Sequence, residues 1–224
     1  MNSIDNFDRF AEYMDCTDHD KFYLINVLQR HKDIPTLDKS TRLLKIYTVT
    51  SKDYLEKIKP EIIQLCDVFT ARAYVYVNRR SYKNTARHML KTLADNFASD
   101  SFVGITHLFT SEASAHGIGD KLWILDVDLK DSNGNSLDVA GENTGIIRER
   151  LWKTLDYKLL EVMPEGCKLL GYLPTKHGFH FISKPFDTRV VQTLQKNLEE
   201  EYKTDYIHPE LELKKDAMTN LYIP

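Results

Sequence analysis

A mixed α/β fold is expected from three stretches of this chain, with an N-terminal helical and βαβ lobe followed by a mixed sheet. Residues 42 to 78 read as strand, helix, strand. Trp123-Ile124-Leu125-Asp126-Val127-Asp128-Leu129 reads as a buried strand carrying two acids. Leu169 to Phe186 reads as a hairpin around a His-rich turn.

Residues 5 to 31 are expected to be helical. Phe7, Phe10, Ala11 and Met14 recur at helical spacing, and Phe22, Ile25, Leu28 and Gln29 continue the theme after Thr17-Asp18, a good N-cap. This makes residues 1–40 an N-terminal helical segment, with Pro35 to Ser40 as its closing loop. From Arg42 to Val49, Leu44, Ile46 and Thr48 alternate against Leu43, Lys45 and Tyr47, which predicts a strand. Ser51 caps a helix to about Phe69, with Tyr54, Leu55, Ile58, Ile62, Leu65 and Cys66 near one face. Ala71 to Val77, rich in Tyr and Val, is the second strand of a parallel, right-handed βαβ unit. A helix follows from about Tyr82 to Asn96. Phe102 to Phe109 reads as extended, and Ser111 to Asp120, with Gly117 and Gly119, as a loop. After the acidic strand come a turn at Asp131-Ser132-Asn133-Gly134-Asn135 and a helix from about Asn143 to Tyr157. The hairpin, a helix over Asp187 to Tyr202 and a last strand over Asn220 to Ile223 complete the chain.

The 224 residues carry 30 basic and 33 acidic side chains, a net charge of −3 that excludes a strongly basic, non-specific DNA binder. Any nucleic-acid contact must come from local clusters of cations. Hydrophobic content of 42% supports a sizeable core. Cys16, Cys66 and Cys167 are far apart and form no CxxC pair, so neither a disulfide framework nor zinc is expected. The N-terminus shows no charged-then-apolar leader and no stretch is long enough to span a bilayer, so no membrane partner and a soluble, cytoplasmic location are expected.

Strand geometry sends Asp126 and Asp128 to one face, and Trp123, Leu125, Val127 and Leu129 to the other. Two carboxylates on one buried face repel each other unless a hard divalent cation such as Mg²⁺ or Mn²⁺ lies between them. Exposed acids at a strand end are the bland alternative, and the apolar flanks argue against it. In Pro174-Thr175-Lys176-His177-Gly178-Phe179-His180, a hydroxyl, a cation and two imidazoles gather beside a glycine that would let backbone approach a ligand. A core histidine bonded to backbone is the alternative for His180. Arg79 and Arg80, with Lys83 and Arg87 beyond them, stand where a strand ends and a helix begins, a junction that favours anions. An ordinary solvated junction is the alternative there.

The order Asp-x-Asp, then a small residue and Gly-x-His, resembles the archaeo-eukaryotic primase superfamily, from about Leu122 to the C-terminus and more loosely back to about Arg42. Thr175 stands for the family's serine, one residue closer to the histidine, and His177 occupies the position between lysine and glycine. The third motif, an apolar-flanked acid on a later strand, is matched best by Asp216. The resemblance implies a primase or primase-polymerase core over residues 41–224, with an α/β unit over about 41–110, an RRM-like unit over about 111–224, and the active site in the cleft between them. It implies nucleotidyl transfer with two Mg²⁺ or Mn²⁺ ions on Asp126, Asp128 and Asp216. Thr175, Lys176, His177 and His180 would hold the nucleotide; the strand-to-helix junction, read by itself, would set Arg79 and Arg80 at the triphosphate or template. The implied partners are nucleoside triphosphates, a single-stranded DNA template and a separate helicase or primase accessory subunit. A metal-dependent nuclease or phosphoesterase on the same acids, and a non-catalytic binding protein of primase-like fold, stand as the alternatives.

Overall fold

A computed structural model describes residues 3–138, 144–205 and 207–224. The chain opens with a short strand β1 (Ile4–Asp5) and helix α1 (Phe7–Tyr13), which buries Phe7 and Phe10. The helix expected to continue after Thr17 is instead a strand, β2 (Lys21–Arg30). All six residues from Phe22 to Val27 are buried. A strand covered on both faces reads as a continuous apolar run, and such a run holds helical spacings as readily as strand ones.

Strand β3 (Thr41–Val49), helix α2 (Lys52–Phe69) and strand β4 (Arg72–Tyr76) match expectation. Ser51 accepts a hydrogen bond from the Tyr54 amide as N-cap, and Thr70 closes the helix in the left-handed region at φ 48°. β3 and β4 run the same way, as a βαβ unit requires, yet β2 lies between them and pairs antiparallel with both. Strand β5 (Arg80–Ser81) leads into helix α3 (Tyr82–Ser99). Helix α4 (Leu108–His116) then occupies most of what reads in sequence as an extended segment and a loop. Its run Thr110-Ser111-Glu112-Ala113-Ser114-Ala115 is small and polar, but alanine is the strongest helix former, and the buried Leu108, Glu112 and Ala113 fall on one side.

The acidic strand is β6 (Trp123–Asp131). Helix α5 (Thr144–Leu160), strands β7 (Leu169–Pro174) and β8 (Gly178–Ser183) and helix α6 (Val191–Tyr202) follow as expected; the anticipated start of α5 at Asn143 lies outside the described residues. Strand β9 (Ile207–Lys214) was not anticipated, and β10 (Met218–Ile223) ends the chain. Pro209 is tolerated in β9 because this strand is an edge.

Two antiparallel sheets result. The first has the order β1-β10-β4-β2-β3, with β5 attached to β2. The segment expected to be helical therefore supplies an interior strand, and β10, assigned in sequence to the C-terminal unit, pairs with β4 of the first sheet. The second has the order β7-β8-β6-β9. Its β-α-β-β-α-β succession interleaves two split βαβ units, so that β8 separates β6 from β7 and β6 separates β8 from β9. Leu125, Val127, Phe179 and Phe181 of this sheet pack with Leu151, Leu155, Leu194 and Leu198 of α5 and α6. On its other face Ile124, Ile182 and Leu173 join the core formed by α1, α2 and the first sheet. No described helix is long and apolar enough to cross a membrane.

Candidate metal and phosphate site

Register across the second sheet builds the site. Asp126 lies opposite His180 on one side and Glu212 on the other, and Asp128 lies opposite Gly178 and Glu210. Cross-strand partners point to the same face, so four carboxylates and one imidazole gather in two rows. One row farther along the same face, Ile124 and Ile182 are buried in the core. Asp126 and Asp128 therefore stand where the apolar seam between the sheets gives way to a cavity, and Glu210 and Glu212 flank them in a separate groove on the β9 side.

That cavity, about 270 Å³, is lined by both sheets. The second sheet contributes Asp126, Asp128, Thr175, Lys176, His177, His180 and Lys214; the first contributes Arg30, Arg72, Tyr74, Met218 and Asn220, with Lys32 just beyond β2. An adjoining cavity of about 350 Å³ shares Lys32, Arg72 and Lys176 with it. The wall thus has an acidic half and a cationic half. Burial lowers the Lys32 ammonium below its usual value, and the charges of Arg72 and Arg30 lower it further. Arg72 is anchored by Asp33 at 2.5 Å, and Arg30 by the Tyr74 hydroxyl at 3.1 Å.

Asp126 is buried, with 6% of its surface exposed. Its Oδ2 accepts from Lys214 Nζ at 2.5 Å. His180 Nε2 lies 3.1 Å from Oδ1, within ion-pairing reach but off the line of a hydrogen bond, which leaves Oδ1 a buried acceptor without a donor. Burial opposes ionisation of Asp126, but His180 and Lys214 outweigh it and hold the carboxyl below its ordinary value. Asp128 makes no hydrogen bond or ion pair among the described residues; partial burial, and then the charge of Asp126, push its carboxyl up.

The structure gathers Asp126, Asp128, Thr175, Lys176, His177 and His180 around one cavity. Their roles differ in part. His180 is 7% exposed, and its Nδ1 contacts Thr219 Oγ1 of β10 at 2.8 Å. His180 therefore stands beside Asp126 and is anchored from behind by Thr219, while still lining the cavity. His177 Nδ1 is tied to the Leu137 carbonyl at 3.2 Å. Thr175 is buried, and its hydroxyl has no hydrogen-bond partner among the described residues. Gly178 serves strand packing, since a Cβ there would stand 1.8 Å from the Val127 carbonyl oxygen.

The structure does not bring Asp216, Arg79 and Arg80 to this cavity. Asp216 sits on the β9–β10 turn at φ 29°, outside the cavity lining. Its carboxylate accepts from Arg80 Nη1 at 2.9 Å and from Asn78 Nδ2 at 3.3 Å. Arg80 is fully buried beneath that pair and stacks 3.9 Å from the Tyr76 ring centre, too enclosed to reach a nucleotide. Arg79 is held by Asp120 at 2.6 Å and by Asp15 at 2.8 Å. All three tie elements together. The residues that sequence reasoning missed are Glu212, Lys214, Arg30, Lys32 and Arg72. Glu212 was findable: Ile207, Pro209, Leu211 and Leu213 alternate against His208, Glu210, Glu212 and Lys214, a strand pattern with an apolar-flanked acid.

Carboxylate oxygens alone, one of them buried without a donor, are the donor set of a hard divalent ion, so the acidic half fits Mg²⁺ or Mn²⁺. Lys214 Nζ lies 2.5 Å from Asp126 and 3.1 Å from Glu212, a cation already drawn to that place. Comparisons of the chain with protein-family models, curated proteins and solved structures find no match.

Proposed function

We propose that this protein is a nucleotidyltransferase of the primase or primase-polymerase kind. The observation that carries the reading is one cavity in which paired carboxylates face a cluster of cations, complementary to a metal-bound polyphosphate. Asp126 and Asp128 would hold the Mg²⁺ or Mn²⁺ ions. Glu212, directly across from Asp126 on β9, replaces Asp216 as the third acid. When bound, the ions supply activation of a 3′-hydroxyl and stabilisation of the pyrophosphate that leaves. Arg30, Lys32, Arg72 and Lys176 would neutralise the triphosphate, and Thr175 offers it a hydroxyl. His180 keeps Asp126 ionised and aimed. The β-α-β-β-α-β sheet stands for the RRM-like unit of the primase likeness, with the first sheet as the opposite wall of the cleft. A single-stranded DNA template and a separate helicase or accessory subunit belong to the same reading.

A second reading draws on Lys214. An ammonium that permanently fills the place between Asp126 and Glu212 would leave a nucleotide-binding protein without catalysis. One experiment separates the two. Labelled single-stranded DNA, with and without a primer, is incubated with nucleoside triphosphates and Mg²⁺ or Mn²⁺. Nucleotide-dependent lengthening, lost in Asp128→Asn while its circular dichroism is unchanged, is expected. Nucleotide binding without any product would establish the accessory reading, and shortening of DNA without nucleotides would establish phosphodiester hydrolysis instead.

A further inference from the structure

Away from that cavity, α3 and α4 pack side by side and bring His88, Glu112 and His116 together, with one potential ligand atom from each within 4.8 Å of the others. We propose that these three side chains form a second metal site, for a Zn²⁺-class ion, with a water molecule in the remaining position. His116 stands four residues after Glu112, one turn away on the same helical face, and His88 faces His116 across the helix pair. The two imidazoles stack with ring centres 4.4 Å apart and planes 15° apart.

The buried acid makes the case. Glu112 is 8% exposed. Its Oε1 accepts from the Thr92 hydroxyl at 2.8 Å, while its buried Oε2 has no hydrogen-bond partner among the described residues. His116 Nε2, at 3.9 Å, is the sole ion-pair neighbour among the described residues, and attracts it only when protonated. Protonating both stacked rings would set like charges against each other. A divalent cation resolves all three at once: it neutralises the carboxylate, occupies the free oxygen and, once the stacked rings turn so that a lone pair of each points at the ion, takes a nitrogen from each neutral ring. Thr92 fixes the carboxylate from behind, the outer hydrogen bond such ligands usually have. The helix approach is built in as well. A Cβ at Gly117 would stand 2.6 Å from the Ala113 carbonyl oxygen and 2.7 Å from Thr85 Oγ1, so glycine lets the end of α4 settle against α3 near His88. Two imidazoles with one carboxylate suit Zn²⁺ better than Mg²⁺, which separates this site from the all-oxygen cluster at Asp126.

The test uses the full chain stripped of metal by chelation. Co²⁺ and Zn²⁺ are added, and uptake is followed by the visible absorption of Co²⁺, by elemental analysis and by thermal unfolding. Stoichiometric uptake is expected to survive in the Asp126→Asn/Asp128→Asn double variant. It should weaken by more than about tenfold in His88→Ala and in His116→Ala, because each removes a ligand from a partly or largely exposed position. Zn²⁺ should raise the unfolding temperature of the parent protein and of the double variant, but not of the histidine variants. Unchanged uptake in both histidine variants, or no uptake beyond that abolished by the double variant, would overturn the site.

Discussion

Asp126 and Asp128 stand two residues apart on one strand face, yet their carboxyls are displaced in opposite directions from the ordinary 3.8. The difference lies in their partners. Asp126 faces His180 and Lys214, whereas Asp128 faces chiefly the charge of Asp126. Removing Asp126 as Asp126→Asn leaves Lys214 without its buried counter-ion, and should cost about 3 kcal/mol in denaturant unfolding at neutral pH. A lowered carboxyl stabilises the fold above its ordinary value and loses that contribution as pH falls through the lowered one, so the deficit should shrink below pH 3.8. Asp128→Asn should do the reverse without divalent ions. It removes a charge held under repulsion, and should raise stability by less than about 1 kcal/mol because the group is solvent-screened. The gain should fade as pH falls through the raised value and Asp128 itself takes up a proton. Equal losses in the two variants would contradict this assignment. Asp216 and Glu212 divide in the same manner. Asp216→Ala leaves buried Arg80 unpaired and should cost about 3 kcal/mol. Glu212→Gln, at a largely exposed side chain, should leave the melting temperature unchanged and abolish nucleotide addition; an Asp216→Ala protein as stable as the parent would return Asp216 to the candidate ligands.

Among the elements, β6 and β8 carry the site, and their spacing depends on Gly178 opposite Asp128. Gly178→Ala would press a methyl group into the Val127 carbonyl, and should destabilise the protein by more than about 2 kcal/mol. An unchanged denaturation midpoint would show that the strands approach less closely than described. The acidic strand, the hairpin and α2 were legible in sequence because each carries its own period, cap or turn chemistry. β2 was not, since a strand buried on both faces loses the alternation that identifies one. α4 was hidden by small polar residues whose helix is stabilised by packing against α3. β9 alternates plainly, but Pro209 interrupts it, and proline marks a strand only once that strand is known to be an edge. The expectation of no zinc considered cysteine spacing alone; His88, Glu112 and His116 form a cluster only when two helices align.

The whole molecule is closed by strands from distant parts of the chain. β10 lies between β1 and β4, and its Thr219 reaches across to His180 in the other sheet. A chain ending at residue 217 should therefore lose its cooperative unfolding transition by calorimetry, together with the cavity; a sharp transition in the truncated chain would show that β10 is dispensable. The sequence by itself determined that Asp126 and Asp128 share a face, that Thr175 to His180 surround a tight turn, and that the protein mixes helices with sheets. Each follows from backbone periodicity over a few residues. Only the tertiary structure decided that Glu212 lies opposite Asp126, which cations face the acid pair, and that Arg80 is bound to Asp216 across a separation of 136 residues. Those relations arise from strand order and register, which are set by burying two apolar sheet faces at once, and no local pattern encodes them.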